Sequence, residues 1–287
     1  MKRILDIAVI SDVHLGNYGC HANELLCYLK SIQPEVLVIN GDFIDMWRFR
    51  KKRFPSIHAE VVQQVFQMAK DGTKIYYIIG SQDDHFRQYI DYSSGNIHFR
   101  EKVVLQLKGK RVGIFHGHEF DLSIHYSKAI TKLGEKGYQT MIFLNRLMNN
   151  IRRFMGWQPR SFAKKMRNRV GEALRYIQKF EELALKIAAK EKYDYIICGH
   201  IHRPLIRSQE IAGKPITYLN AGDWVENLTA LEYRWGRWRI HEYNELDYGS
   251  ISKRLQVKAL GSTAIERKLN PFNTSDPEEW LQQLDRY

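Results

Sequence analysis

The chain has 287 residues, and its 44 Lys and Arg outnumber 32 Asp and Glu to leave a net charge of +12. Hydrophobic residues at 44% and charged residues at 26% are ordinary for a globular protein with a sizeable core, which excludes a disordered or fibrous chain. No apolar run approaches the roughly 18 residues of a membrane-spanning helix. Asp6 and Asp12 come too early for a signal peptide, and three scattered cysteines without a CxxC argue against a disulfide framework or structural zinc, so the expected compartment is the cytoplasm.

In chain order, Ile4–Ile10, Glu35–Asn40, Lys74–Ile79, Arg111–His116 and Tyr193–Cys198 read as buried strands. His21–Ile32 and Ile57–Asp71 read as the helices that connect the first three. Residues 125–190 differ from their surroundings: fifteen Lys and Arg against four Glu concentrate almost all of the excess charge there. Within this segment Met141, Ile142, Leu144, Leu147, Met148, Ile151, Phe154, Met155 and Trp157 recur at helical steps. Gly156 and Pro159 break that pattern, and Ser161 is placed to cap a second helix running to about Lys190. Short strand pairs come next, at Leu205–Ile211, Ile216–Leu219, Thr229–Tyr233 and Trp238–Tyr243, with turns at Ala212-Gly213 and Gly236. The expected architecture is an α/β core of two packed sheets over 1–248, with a basic helical insertion at about 125–190. The tail, 249–287, is polar, with a short helix expected near Pro277–Leu284.

The informative residues sit just past the end of each strand. The five ends read Ser11-Asp12-Val13-His14, Asn40-Gly41-Asp42, Gly80-Ser81-Gln82-Asp83-Asp84, His116-Gly117-His118 and Gly199-His200-Ile201-His202. Ligand sites of α/β sheets collect beyond the carboxyl ends of strands, so these side chains are expected in one crevice. Asp-x-His and His-x-His place alternate side chains on one side of an extended stretch, as two ligands of one ion require. Mixed carboxylate and imidazole donors suit Mn²⁺, Fe or Zn²⁺ better than Ca²⁺.

The elements DVH, GD, a third-strand G-x-x-D, HG and GHIH, in this order over residues 4–243, resemble the calcineurin-like metallophosphoesterases. The fuller phrases SDVHLG, GDFIDMW, HGHEFD, GHIHRP and NAGDWVENLTALEY are similar to the branch that hydrolyses UDP-2,3-diacylglucosamine in lipid A synthesis. The resemblance implies a four-layer αββα fold with a helical lid at the basic segment. It implies two divalent ions, usually Mn²⁺, with Asp12, His14 and His202 on one, His116 and His200 on the other, and Asp42 bridging them. A water activated by these ions would cleave the pyrophosphate to UMP and 2,3-diacylglucosamine 1-phosphate. Asp223 and Arg203 are candidates for orienting the ligands.

The third element departs from the family. Ser81 stands where the family has a metal-ligating Asn, and Gln82 where it has a cationic side chain for the phosphate; Asp83, Asp84 and His85 are the neighbours able to compensate. Gln82 and Asp83 are the catalytic candidates of this element. His118 also replaces an expected Asp. In the insertion, Arg152, Arg153, Trp157 and Arg160 are candidates for substrate binding, and its basic and apolar faces suit an anionic membrane surface, hence peripheral association with the inner membrane. No helix-turn-helix, zinc-finger or RNA-binding signature accompanies the charge, which argues against nucleic acid. Two other functions fit these residues: a phosphodiesterase on another nucleotide or nucleic-acid substrate, and a membrane-associated protein with an impaired second metal site.

Overall fold

The structure, a computed structural model, describes residues 2–45, 54–121 and 163–248, with side chains of the last stretch from Ala173 onward. The described residues divide into two compact units. The first runs to His118 and resumes at Ala184; the second is Glu119–Leu183.

In the first unit β1 (Arg3–Ile10) is an interior strand of a seven-stranded sheet. It runs parallel to β2 (Ile32–Asn40), which pairs in parallel with β3 (Lys74–Ile78), which pairs in parallel with β5 (Ile97–Arg100). The two-residue β4 (Ser93–Ser94) closes one edge. On the other side β11 (Thr229–Arg234) and β12 (Arg237–Glu242) add antiparallel. A five-stranded sheet has the order β6 (Lys102–Leu107), β7 (Lys110–Phe115), β8 (Tyr195–Cys198), β10 (Lys214–Asn220) and β9 (Leu205–Ile211). Both sheets are mixed, as an α/β fold that returns its chain through hairpins requires.

Alternation along the strands separates two cores. Ile7, Val9, Val38 and Ile78 of the large sheet meet Val103, Val112, Ile114, Ile197 and Leu219 of the small one, forming a layer between the sheets. Ala8, Ile10, Leu37 and Ile39 face the other way, onto helices α1 (Ala22–Ser31) and α2 (Ser56–Lys70) through Leu25, Leu26, Leu29, Val61, Val62 and Val65. Helix α3 (Ala163–Glu191) enters the first unit with Ala184, Leu185 and Ala188 buried. In the second unit Phe120 packs on Phe180, and the Tyr176 hydroxyl donates to Asp121.

All nine expected strands and both connecting helices lie within a few residues of their expected places. β2 starts earlier than expected because α1 passes into it without a loop and Pro34 is accommodated in the pairing with β1, opposite Leu5. β4, β5 and β6 lie outside the expected strands; two are too short to show a period. The apolar stripe of 141–157, Arg152, Arg153, Trp157 and Arg160, and the tail helix at 277–284 lie outside the described residues.

Candidate metal centre

Five loops leave the carboxyl ends of β1, β2, β3, β7 and β8, and backbone hydrogen bonds lash the first two together. The amides of Asp12, His14 and Leu15 donate to the carbonyls of Gly41, Asp42 and Phe43, and the Asp45 amide returns to Leu15. The Asp-x-His and His-x-His runs are not extended, contrary to the sequence expectation. Asp12, His14, Asp42, His200 and His202 all have φ between 51° and 66°. Short polar side chains tolerate this left-handed conformation better than branched ones, yet each instance costs energy that the surrounding fold must offset. The kinked backbone, rather than strand pleating, turns alternate side chains the same way.

Among the described residues, two groups of three have donor atoms within 4.8 Å of one another: Asp12, His14 and His202, and Asp42, His116 and His200. In the first, Asp12 is fully buried and its Oδ2 accepts from the Ser11 hydroxyl at 2.5 Å and from the His200 amide at 2.9 Å. Its Oδ1 has His202 Nε2 3.1 Å away, in ion-pair range but without hydrogen-bond geometry. The His14 and His202 rings lie 5.5 Å apart.

In the second group His116 is fully buried and its Nδ1 bonds the Asn40 carbonyl at 2.8 Å. A carbonyl only accepts, so Nδ1 carries the proton and Nε2 is the nitrogen turned to the site, 3.4 Å from Asp42 Oδ2 without hydrogen-bond geometry. The His200 ring meets the His116 ring edge-on at 5.3 Å. Space here is tight. Gly41 has φ 77°, and a Cβ on it would lie inside contact distance of the His116 ring.

The electrostatics join the groups. Burial opposes ionisation of Asp12, but His202 outweighs it and brings the carboxyl down to about 2. Asp42, likewise buried, is held well below the usual carboxylate range by His116 and His14. Burial disfavours charge on His116, but Asp42 outweighs it and the imidazole rises to about 10; Asp12 does the same for His202, to about 9. His14 moves down because burial prevails. Asp12 Oδ1 and His116 Nε2 are buried without a hydrogen bond, and once the imidazole sheds its Nε2 proton both offer lone pairs that divalent ions would satisfy. The donor set fits such ions.

The remaining candidates fall into place around this centre. Ser81 hydroxyl donates to Asp42 Oδ2 at 3.1 Å, and the Gln82 amide donates to Asp42 Oδ1 at 2.7 Å, so this altered element grips the carboxylate that the family resemblance makes the bridge. Asp83 is fully buried and its carboxylate accepts from the amides of Phe43 at 3.1 Å and Ile44 at 2.9 Å. It fastens the loop after β2, and burial beside Asp42 pushes its carboxyl up to about 7. Asp223 Oδ2 stands 3.8 Å from His202 Nδ1, while its Oδ1 accepts from the Val225 and Glu226 amides, so it both closes a turn and faces a ligand. Arg203 and His85 are exposed, and Asp84 pairs with Arg87 at 2.7 Å.

Supporting residues the motifs did not single out are Ser11, Asn220, Asn227 and His58. Asn220 donates to the Gly199 carbonyl and Asn227 to the His202 carbonyl, each at 2.9 Å. His58 Nδ1 accepts from the Gly16 amide at 2.7 Å, pinning the loop that carries His14. The available signal was a buried polar residue at a strand end, which Ser11 and Asn220 share.

A curated UDP-2,3-diacylglucosamine hydrolase of Marinobacter nauticus is 28% identical over 227 residues, covering 78% of this chain and 91% of its own. The enzyme of the same name from Hamiltonella defensa is 29% identical, covering 72% and 81%. Among solved structures, an archaeal phosphodiesterase aligns at 11% identity with a TM-score of 0.39, over 82% of this chain and 98% of its own. The calcineurin-like phosphoesterase family matches residues 5–204, the stretch that carries all six clustered side chains, and the chain belongs to that family of phosphoester-cleaving, divalent-metal enzymes.

Proposed function

We propose that this phosphoesterase hydrolyses the pyrophosphate of UDP-2,3-diacylglucosamine, yielding UMP and 2,3-diacylglucosamine 1-phosphate, with two divalent ions, most suitably Mn²⁺. The observation that carries the reading is the pair of buried clusters, Asp12–His14–His202 and Asp42–His116–His200, in a chain whose curated relatives bear that enzyme name. Asp12, His14 and His202 would hold one ion, His116 and His200 the other, with Asp42 shared. Ions held there would supply charge neutralisation for the phosphate oxygens and a water of lowered pKa as the nucleophile.

The chain's own groups prepare this. The Asn40 carbonyl keeps the His116 proton on Nδ1 and leaves Nε2 as a donor of electrons. Ser11 and the His200 amide occupy Oδ2 of Asp12, leaving Oδ1 toward His202. The Ser81 hydroxyl and the Gln82 backbone amide hold the two oxygens of the Asp42 carboxylate, which restrains its orientation. Protons carried by His116 and His202 beside their carboxylates must leave as the imidazoles become ligands.

The insertion at 125–190 supplies cations and apolar side chains toward the acyl part of the substrate, Arg152, Arg153, Trp157 and Arg160 among them, and works at the inner membrane's cytoplasmic face. The test is release of UMP from UDP-2,3-diacylglucosamine by the purified full chain with Mn²⁺. Release well above the metal-free control is expected. Hydrolysis of a simple aryl phosphodiester without UMP release would move the enzyme to another nucleotide or nucleic-acid substrate.

A further inference from the structure

Gln82 leaves this site without the cation that its third loop element would carry, and the same loop continues into a short 3-10 turn, Asp84–Tyr89. That turn is anchored at two points. Phe86 is buried among Tyr77 and Phe99, and its amide donates to the Asp83 carbonyl at 2.8 Å, while the Asp83 carboxylate is bound to the loop after β2. Arg87 therefore projects from a backbone tied to the floor of the metal centre.

Its guanidinium is held as well, by two contacts among others. Nε donates to Asp84 Oδ1 at 2.7 Å, and Nη2 donates to His118 Nε2 at 3.3 Å. The His118 ring lies 5.4 Å from the ring of His116, a member of the second cluster. A permanent cation thus stands one imidazole away from that cluster, solvent-accessible and with a planar fork suited to phosphate oxygens. We propose that Arg87, steered by Asp84 and His118, makes the cationic contact to the substrate phosphate that Gln82 does not. This rests on the phosphoester-hydrolase reading of the site and adds to it a residue outside the metal-ligand set.

The test uses the full chain loaded with Mn²⁺ and inorganic phosphate as probe, followed by calorimetry. The R87Q variant is expected to bind phosphate about tenfold or more weakly, with Mn²⁺ stoichiometry and affinity within twofold of the parent, and R87K to fall between. Phosphate affinity in R87Q within twofold of the parent overturns the proposal, as does a parent that binds no phosphate. Were the parent to bind phosphate yet release no UMP from the lipid nucleotide, the substrate assignment would fail while the Arg87 series still decided its own question. A readout on the unaltered protein guards against a folding defect. Saturating phosphate is expected to slow phenylglyoxal modification of Arg87 at least fivefold, and unchanged labelling overturns the assignment.

Discussion

His116 donates through Nδ1 to the carbonyl of Asn40 at 2.8 Å, and this bond decides which imidazole nitrogen faces Asp42. Because the acceptor is backbone at the end of β2, the ring orientation is inherited from the sheet rather than from another side chain. The two strand ends are thereby coupled: a displacement of β2 rotates a ligand carried by β7. Replacing His116 by Gln removes the Nε2 donor while leaving Asp12, His14 and His202 in place. Bound Mn²⁺ is expected to fall from two ions to one per chain, and turnover by more than about 100-fold. Metal analysis after gel filtration, alongside UMP release, checks both numbers; two retained ions would contradict the ligand assignment.

Gly41 offers a stability prediction at the same place. Its φ of 77° is one that side chains rarely adopt, and an added Cβ would run into the His116 ring. Gly41→Ala is expected to destabilise by about 1–3 kcal/mol, from backbone strain together with displacement of a buried ring. Gly72 has φ 98° but nothing within 4 Å of its would-be Cβ. Gly72→Ala therefore isolates the backbone component, and urea denaturation of the pair separates strain from collision. Equal losses at both positions would show that the collision contributes nothing.

His58 makes the fold acid-sensitive away from the ligands. Its buried ring accepts the Gly16 amide through Nδ1, and burial brings its pKa down to about 4. An unfolded histidine titrates near 6.5, so the unfolded chain takes up the proton first. The stability that neutral His58 contributes is complete above about pH 6.5 and is lost as pH falls toward 4, by up to about 3 kcal/mol. His58→Asn keeps an acceptor for the Gly16 amide without a titrating ring. Its unfolding free energy should vary less than the parent's between pH 6.5 and 4; curves of equal slope would remove His58 as the cause.

Membrane association gives a prediction on the intact chain. Under the proposed membrane association, the fifteen Lys and Arg within residues 125–190 are expected to bind anionic bilayers, with binding that weakens as salt screens them. Co-sedimentation with vesicles of 30% phosphatidylglycerol (an assay choice on the order of a bacterial anionic fraction) should capture the chain at low salt. Most should be released by about 0.5 M NaCl, since the screening length then shrinks to a few ångströms. Pure phosphatidylcholine vesicles should capture little. Equal capture by both vesicle types would argue for apolar insertion without an electrostatic component.

Much of the centre was legible in the sequence because each ligand comes after an apolar run, and such runs in an α/β chain end at one edge. Asp12 after Ile10, Asp42 after Asn40 and His200 after Cys198 needed no tertiary information to be placed together. The parts that were not legible depend on contacts distant along the chain. Nothing local says that Asp83 turns toward the amides of Phe43 and Ile44, since an Asp after Gln82 is equally able to face a phosphate. The left-handed φ of Asp12, His14, Asp42, His200 and His202 escaped too: alternation in sequence implies pleating, whereas the loops after β1, β2 and β8 are kinked, the first two tied by hydrogen bonds to each other. The strands β4 and β5 were hidden by brevity, and Arg87 reads as an ordinary surface cation until His118 is seen beside it.

The altered third element leads to the last prediction, a double-variant test. Restoring a cation by Gln82→Arg in the parent adds charge where Arg87 already stands near the second cluster, so turnover should rise less than about threefold. The same change in an R87Q background should recover most of what R87Q lost, because one guanidinium then substitutes for the other. Both residues leave the same loop, and the Gln82 amide is already fixed on Asp42 Oδ1 at 2.7 Å, so an arginine at 82 would start from a backbone held against the carboxylate. The signature is non-additivity: two changes that share one phosphate contact couple, whereas independent sites add. Steady-state kinetics on the four proteins, with Mn²⁺ content measured in each, gives the coupling directly. A large gain from Gln82→Arg in the parent, equal to its gain in R87Q, would mean that the site lacks a cation altogether and that Arg87 acts elsewhere.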